Sequence, residues 1–252
     1  MNGEFVSGGL RLARHTALPA VRDTRTPAVI MCHGFPIGPL DARQSASTFP
    51  ELMDRIASEL GWTAMTFTFR GCGRSEGDFS LQGWVDDLRC AIDVVVEEAN
   101  PIGVWLVGTN TGGSIALCVG ADDPRVRGAA LLGARSGFED WAEQPRRFLE
   151  HAREIGAVRT LKFPRNPDEW GREFSRFRPL EAASRFAPKP LLVMHGDDDE
   201  AVPTSEARQI ASAHGDAELR IINGAGHRLR HDPRALAILL GWLDRQRNSL
   251  TV

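Results

Sequence analysis

The sequence lacks the features of membrane-spanning and nucleic-acid-binding proteins. Its 252 residues contain no run of 18 or more apolar residues, so we expect no membrane span and no membrane partner. A formal net charge of −3 gives no general attraction to nucleic acid. The N-terminal stretch lacks the charged region followed by an apolar region that marks a signal peptide, so we expect a cytoplasmic protein.

Cysteine is scarce, and the four cysteines form no recognisable motif. They are far apart, with no C-x-x-C pair and no histidine at zinc-finger spacing: Cys32, Cys72, Cys90 and Cys118. Cys32 and Cys118 lie in apolar runs, where an unpaired cysteine behaves as a small core residue. The sequence therefore predicts neither a disulfide framework nor a metal site.

Apolar runs alternate with helical patterns along the whole chain. Residues 4–17 predict a hairpin with Gly8 and Gly9 at its turn. Buried strands are predicted at 28–32, 62–69, 102–108, 126–133, 190–196 and 218–223. Helices are predicted at 49–60, 81–99, 111–121, 204–214 and 232–247. This alternation favours one α/β domain over residues 1–252, with a mostly parallel sheet, helices on both faces, and a site at the carboxyl ends of the strands.

One segment interrupts the alternation. Residues 136–180 are helical in pattern and rich in Arg, Pro and Trp, which predicts a small helical lid inserted between two strands. Packing over a sheet edge is the alternative. Trp84, Trp141 and Trp170 are candidates to line a substrate pocket because they lie in loop or lid segments, with ordinary core packing as the alternative.

Two glycine-containing turns follow predicted strands and carry candidate catalytic groups. In CHGF, residues 32–35, the backbone N–H of Phe35 is a candidate donor to an oxyanion. In GTNTGG, residues 108–113, the spacing of Gly108 and Gly112 fits a nucleophile elbow centred on Asn110. The N–H of Thr111, at the start of the next helix, is the second candidate oxyanion donor.

Two later loops supply a candidate acid and a candidate base. HGDDDEAVP, residues 195–203, places three aspartates in a row at a strand end, where a buried carboxylate orients an imidazole. GAGHRLRHDP, residues 224–233, presents His227 before the last helix.

From CHGF to the final helix, the sequence resembles the α/β-hydrolase superfamily, specifically its branch of esterases, thioesterases and acylpeptidase-like enzymes. FRGCGRSEG, residues 69–77, is similar to the family's R-G-x-G-x-S loop. The family motif H-G-x-x-D-x-x-V-P selects Asp199 as the acid, and the glycine loop selects His227. The resemblance implies hydrolysis of a small or medium acyl ester, thioester or amide, without metal or organic cofactor. It leaves the oligomeric state open.

The same loops contain alternative candidates. Asp197 or Asp198 is the alternative acid, and His231 is the alternative histidine. His33 and His195 are expected to fix loops rather than to act as bases. Cys72 lies in the RGCG loop without an evident base. The hydroxyls near Asn110 are outside the elbow frame and are expected to begin a helix: Thr109, Thr111 and Ser114.

Asn110 departs from the family pattern because an uncharged amide is not a useful nucleophile. Asparagine nevertheless tolerates positive φ, and its side chain is expected to reach His227. Three accounts remain open. In the first, Asn110 is native, and the protein either binds a ligand or uses His227 as a base on water. In the second, Asn110 replaces a serine through engineering. In the third, Asn110 replaces the aspartate nucleophile of a dehalogenase or epoxide hydrolase. A scaffold recognised through residues 136–180 is a further class.

Overall fold

The computed structural model describes residues 1–21, 23, 25–47 and 49–250. Within these residues, eight strands form one sheet. The strands are β1 (Asn2–Ser7), β2 (Leu10–Ala17), β3 (Ala28–Cys32), β4 (Thr63–Phe67), β5 (Val104–Thr109), β6 (Val126–Leu132), β7 (Leu191–Gly196) and β8 (Glu218–Ile222). The helices are α1 (Pro39–Arg43), α2 (Phe49–Leu60), α3 (Leu81–Ala99), α4 (Thr111–Asp122), α5 (Glu139–Glu143), α6 (Pro145–Glu154), α7 (Pro167–Phe174), α8 (Pro179–Phe186), α9 (Thr204–His214) and α10 (Pro233–Ser249).

The sheet is mostly parallel, as the alternation predicts. Its strand order is β1-β2-β4-β3-β5-β6-β7-β8. The N-terminal hairpin is antiparallel, and β2 pairs antiparallel with β4, whereas the other neighbouring strands run parallel. Gly8 and Gly9 form the hairpin turn with φ values of 56° and 84°, which glycine adopts without steric cost. The predicted hairpin and the six predicted strands are confirmed.

Helices cover both faces of the sheet. The central strands are apolar along their whole length because both of their faces are buried. Successive side chains of a strand point to opposite faces. In β3, Ile30 joins the core under α3 and α4, while Val29 and Met31 join the core under α2 and α10. Because side chains on both faces of a central strand are buried in one core or the other, the central strands are continuous apolar runs in the sequence. Among the described residues, no helix has the length and apolar character needed to cross a membrane.

The chain between β6 and β7 folds into helices, as predicted for residues 136–180. Helices α5, α6 and α7 pack against one another, whereas α8 packs against α4 and α9 in the body of the molecule. The predicted C-terminal boundary therefore falls inside α8, which continues to Phe186. A role of this insertion as a lid stays a prediction. The short helix α1 was not predicted; it begins with Pro39 after Gly38, a position that proline favours.

Candidate active site

The turn from β5 into α4 has the geometry of a tight elbow. Asn110 lies between the two elements with φ 47° and ψ −124°. A Cβ on Gly112 would collide with the carbonyl oxygen of His33, and a Cβ on Gly108 would collide with the backbone of Gly112 and Gly113. Both glycines of the predicted frame are therefore required by close backbone packing.

Three predicted site residues, from three separate loops, lie in one hydrogen-bonded chain. The Nδ2 of Asn110 is 2.7 Å from the Nε2 of His227. The Nδ1 of His227 is 2.9 and 3.0 Å from the two carboxylate oxygens of Asp199. Because an ionised carboxylate only accepts, the imidazole hydrogen lies on Nδ1, and Nε2 accepts from the amide of Asn110. The chain runs Asp199, His227, Asn110, with an amide where a nucleophile is expected.

Asp199 is buried and held ionised by its neighbours. Its Oδ1 accepts hydrogen bonds from the N–H groups of Ala201 and Val202, both at 2.9 Å. Burial by itself raises the pKa of a carboxyl group, but hydrogen bonds from His195 and His227 outweigh burial and hold the pKa of Asp199 well below its usual range. Asp199 therefore carries a negative charge and fixes the orientation of the His227 ring.

The two neighbouring acids have other contacts. Asp197 accepts a hydrogen bond from the N–H of Gly224 at 2.6 Å, which braces the loop that presents His227. The N–H of Asp198 donates to the carbonyl of Ala225 at 3.0 Å. Of the three consecutive aspartates, Asp199 is the one that the structure places against His227.

The amide of Asn110 occupies one of the two candidate oxyanion donors, the N–H of Thr111. Its Oδ1 accepts from the backbone N–H of Thr111 at 2.5 Å and from the hydroxyl of Thr111 at 2.9 Å. The other candidate donor, the N–H of Phe35, takes part in no hydrogen bond among the described residues. A Cβ on Gly34 would lie 2.9 Å from the Cβ of Asn110, so the strand-end turn that contains Phe35 packs directly on the elbow.

His33 and His195 bridge loops around this site. His33 donates from Nδ1 to the carbonyl of Gly34 at 2.8 Å and accepts at Nε2 from the N–H of Phe69 at 3.0 Å. Burial lowers the pKa of His33 to about 4, so its ring is neutral. His195 Nε2 donates to the carbonyl of Val202 at 2.8 Å and lies 3.2 Å from Asp199. These contacts match the loop-fixing positions expected from the sequence.

The RGCG loop is held in place by ion pairs and hydrogen bonds, and its cysteine is not reactive. Cys72 is fully buried, and burial raises the pKa of its thiol to about 12, which keeps it protonated. Arg70, beside it, forms a 2.6 Å ion pair with the buried carboxylate of Asp87. From the insertion, Arg159 donates to the carbonyls of Gly73 and Ser75, both at 3.1 Å. The loop thus joins the insertion to the sheet.

A cavity of about 420 Å³ opens beside Asn110 and His227. Its walls come mainly from residues 33–47, between β3 and α2, and from residues 227–231. The wall includes the apolar side chains of Leu40 and Leu229 and the charged side chains of Asp41 and Arg230. The sequence patterns do not predict this wall. Its only signal was the long connection after CHGF, with Gly38-Pro39 in its middle.

The three tryptophans proposed as pocket residues do not line this cavity, and their role in a substrate pocket stays a prediction. Trp84 is fully buried and stacks on Phe69 with ring centroids 4.3 Å apart. Trp141 and Trp170 are buried against Phe148, at centroid distances of 4.0 and 5.7 Å. Trp84 lies on the buried face of α3, and the amphipathic helices of the insertion turn Trp141 and Trp170 inward onto the core. Their positions match the core-packing alternative.

The order of elbow, acid and histidine at the ends of parallel strands defines a protein of the α/β-hydrolase type. The family model described as "Alpha/beta hydrolase family" matches residues 29–238. The chain therefore belongs to the alpha/beta hydrolase family.

Comparisons with individual proteins agree on the fold. The structure of Est1E from Butyrivibrio proteoclasticus with ferulic acid bound has a TM-score of 0.73, at 18% identity over 99% of each chain. The alpha/beta hydrolase GrgF from Penicillium sp. sh18 has a TM-score of 0.71, at 21% identity over 97% of this chain and 98% of that one. At such identities the likeness shows the fold alone.

A curated relative covers only part of the chain. The uncharacterized protein YfhR of Salmonella typhimurium is 29% identical over 151 residues, which are 57% of this chain and 47% of that protein. The chain thus spans about half the length of the curated relatives it matches.

Proposed function

We propose that this protein has the machinery of an esterase-type acyl hydrolase, in which the amide of Asn110 occupies the place of the nucleophile. The hydrogen-bonded chain from Asp199 through His227 to position 110, beside a cavity of about 420 Å³, carries the proposal. The substrate class is a small or medium acyl ester, thioester or amide. Family membership and the esterase among the structural neighbours support the hydrolase class.

Each group has a role that follows from its position. Asp199 fixes the ring of His227 and stabilises its protonated form. His227 directs Nε2 toward position 110, where a general base removes a proton from a nucleophile or from a water molecule. The N–H groups of Phe35 and Thr111 are the donors for the negative oxygen of a tetrahedral intermediate.

Asn110 limits what this machinery does in the present chain. An amide cannot form an acyl-enzyme, so the remaining route is attack by water with His227 as the base. That route requires the Asn110 side chain to move, because the same amide occupies both His227 Nε2 and the Thr111 N–H. We expect ester hydrolysis by the chain as it stands to be weak.

Restoring a hydroxyl tests the proposal. The hydrolysis of p-nitrophenyl butyrate is measured for the unaltered chain, for Asn110→Ser, and for Asn110→Ser combined with His227→Gln. We expect Asn110→Ser to raise kcat/KM by about 100-fold or more, and the second change to remove the gain. A folded but inert Asn110→Ser variant would refute the acyl-hydrolase assignment.

A ligand-binding role is the second candidate, favoured by one observation. The Asn110 amide satisfies the Thr111 N–H and hydrogen-bonds to His227, which gives a stable site without chemistry. A protein of this kind would bind the ester in the cavity without turnover, both as the unaltered chain and as Asn110→Ser. Calorimetric binding of the ester together with an inert Asn110→Ser variant would favour this role.

A further inference from the structure

We infer that the side-chain amide of Asn110 is itself a substrate of the site, which hydrolyses it to a carboxylate and releases ammonia. The inference rests on the proposed role of the Asp199–His227 pair. The protein would thus modify its own residue 110. This role accounts for the hydrogen bonds that hold both the nitrogen and the oxygen of the Asn110 amide.

The carbonyl end of the amide is polarised. Asn110 Oδ1 accepts two hydrogen bonds from Thr111, one from the backbone N–H and one from the hydroxyl. Thr111 begins α4, a helix of 12 residues, and the start of a helix favours negative charge. Paired donors of this kind stabilise the oxyanion that forms when water adds to a carbonyl carbon. The amide carbon of Asn110 is therefore activated toward attack.

The nitrogen end of the amide faces the proton carrier. Asn110 Nδ2 lies 2.7 Å from His227 Nε2, whose ring is fixed by the buried Asp199. An amide nitrogen leaves readily only after it gains a proton, and a histidine at hydrogen-bond distance delivers one. The geometry thus supplies an oxyanion site and a leaving-group acid for the same bond.

The step balances with water as the only co-reactant. Water reaches the elbow through the cavity, whose wall includes Asn110 and His227. The hydrogen bond between Nδ2 and His227 Nε2 opens to admit this water, whose oxygen adds to Cγ of Asn110 while Nε2 takes a proton from it. The Cγ–Nδ2 bond then breaks as His227 returns that proton to nitrogen. The products are a carboxylic acid and ammonia, and the acid then ionises to the carboxylate as ammonia takes up its proton. A carboxylate at an elbow is a competent covalent nucleophile, so the step would replace an inert side chain with a reactive one.

Ordinary deamidation provides matched internal controls. Asn2 and Asn223 each precede a glycine, in the Asn-Gly pairs that deamidate spontaneously through a cyclic imide and leave mostly isoaspartate. Asn223 is exposed. Direct attack of water at Asn110 predicts aspartate only. It also predicts dependence on His227, which has no part in cyclisation at Asn223.

The test follows conversion at each asparagine by peptide mass spectrometry of the full chain over time. We expect the peptide with Asn110 to gain one mass unit in ordinary water and three in water labelled with heavy oxygen, without isoaspartate. His227→Gln and Asp199→Asn should slow this conversion by about 100-fold or more, while conversion at Asn223 continues unchanged. No mass gain at Asn110, isoaspartate there, or an equal rate in His227→Gln would overturn the inference.

Two further measurements keep the outcome decisive. Thr111→Val removes the hydroxyl donor and keeps the backbone donor, so it should slow conversion by about tenfold in a chain whose circular dichroism is unchanged. An unchanged rate would count against the oxyanion role of Thr111 and overturn the inference. Ester hydrolysis by Asn110→Ser is independent of this amide. If Asn110→Ser hydrolyses the ester but Asn110 is not converted to aspartate in the unaltered chain, only the present inference is overturned. If Asn110 is converted but Asn110→Ser is inert, only the proposed ester hydrolysis is overturned.

Discussion

Asn110 fits a backbone conformation that few side chains tolerate. Of the three non-glycine residues with positive φ in the described part of the chain, two are asparagines, Asn100 and Asn110. Asparagine is enriched in this region because its short amide bonds to nearby backbone groups. At Asn110 that partner is the N–H of Thr111. Asn110 therefore adopts the backbone conformation of the elbow and hydrogen-bonds to its neighbour, but it contributes no nucleophile.

The ionised state of Asp199 makes its contribution to stability dependent on pH. Its pKa is lower in the folded chain than in the unfolded one, so the stabilisation is present above the ordinary carboxyl pKa and is lost as pH falls through the folded value. We expect Asp199→Asn to lower the free energy of unfolding by about 1–3 kcal/mol at neutral pH. Denaturant unfolding at a series of pH values should show this difference shrinking below about pH 4. A constant difference would contradict it.

His33 makes a second contribution that depends on pH, in a higher range. Its pKa is about 4 in the folded chain against 6.5 for an exposed histidine, so the unfolded chain binds the proton first. Stability should therefore fall as pH drops from 6.5 to about 4. Urea unfolding of His33→Gln and of the unaltered chain isolates the contribution of His33 to the pH dependence of stability. The prediction fails if both lose the same stability across that range.

At the scale of elements, the site depends on how closely α4 approaches the ends of β3 and β5. Gly34, Gly108 and Gly112 bring three backbone segments into contact, and a Cβ at any of them meets a neighbour at 3.0 Å or less. This contact sets the elbow against the Phe35 turn. The glycine spacing in GTNTGG predicted the elbow because the contact of Gly108 with residues 112–113 is local, whereas the contact of Gly112 with His33 is not visible in the sequence.

Adding one methyl group at the elbow tests this packing. Gly112→Ala should lower the free energy of unfolding by about 1–3 kcal/mol, because its Cβ would collide with the carbonyl oxygen of His33. Gly38→Ala is the matched control, since nothing lies within 4 Å of its added Cβ and its φ is −158°. Equal stability of the two variants in denaturant titrations would show that the close approach does not constrain the elbow.

At the scale of the whole molecule, the sheet and the elbow could be predicted because each depends on a local pattern. Asp199 and His227 were instead selected by their resemblance to the family's motifs. Strand alternation and the spacing of glycines in GTNTGG need no knowledge of distant residues. The cavity wall could not be predicted, because it depends on how residues 33–47 and 227–231 fold beside Asn110. The positions of Trp141 and Trp170 could not be predicted, because they depend on how residues 136–180 pack on the body. Trp141 joins Phe35 and Phe79 across that boundary, a contact that periodicity does not encode.

The insertion is consequently part of the core, and Trp170 tests this at the scale of the whole fold. Its ring is 3% exposed and packs on Phe79, Phe148 and Phe174. In the Asn110→Ser background, Trp170→Ala should lower the free energy of unfolding by about 3–5 kcal/mol and leave KM for p-nitrophenyl butyrate unchanged.

The matched control is Trp170→Phe. It keeps an aromatic ring and removes an indole N–H that has no hydrogen-bond partner among the described residues. We expect this variant to lose less stability than Trp170→Ala, because no hydrogen bond is broken and most of the buried apolar surface is kept. A raised KM with unchanged stability in Trp170→Ala would instead place this residue in the substrate pocket and contradict its assignment to the core.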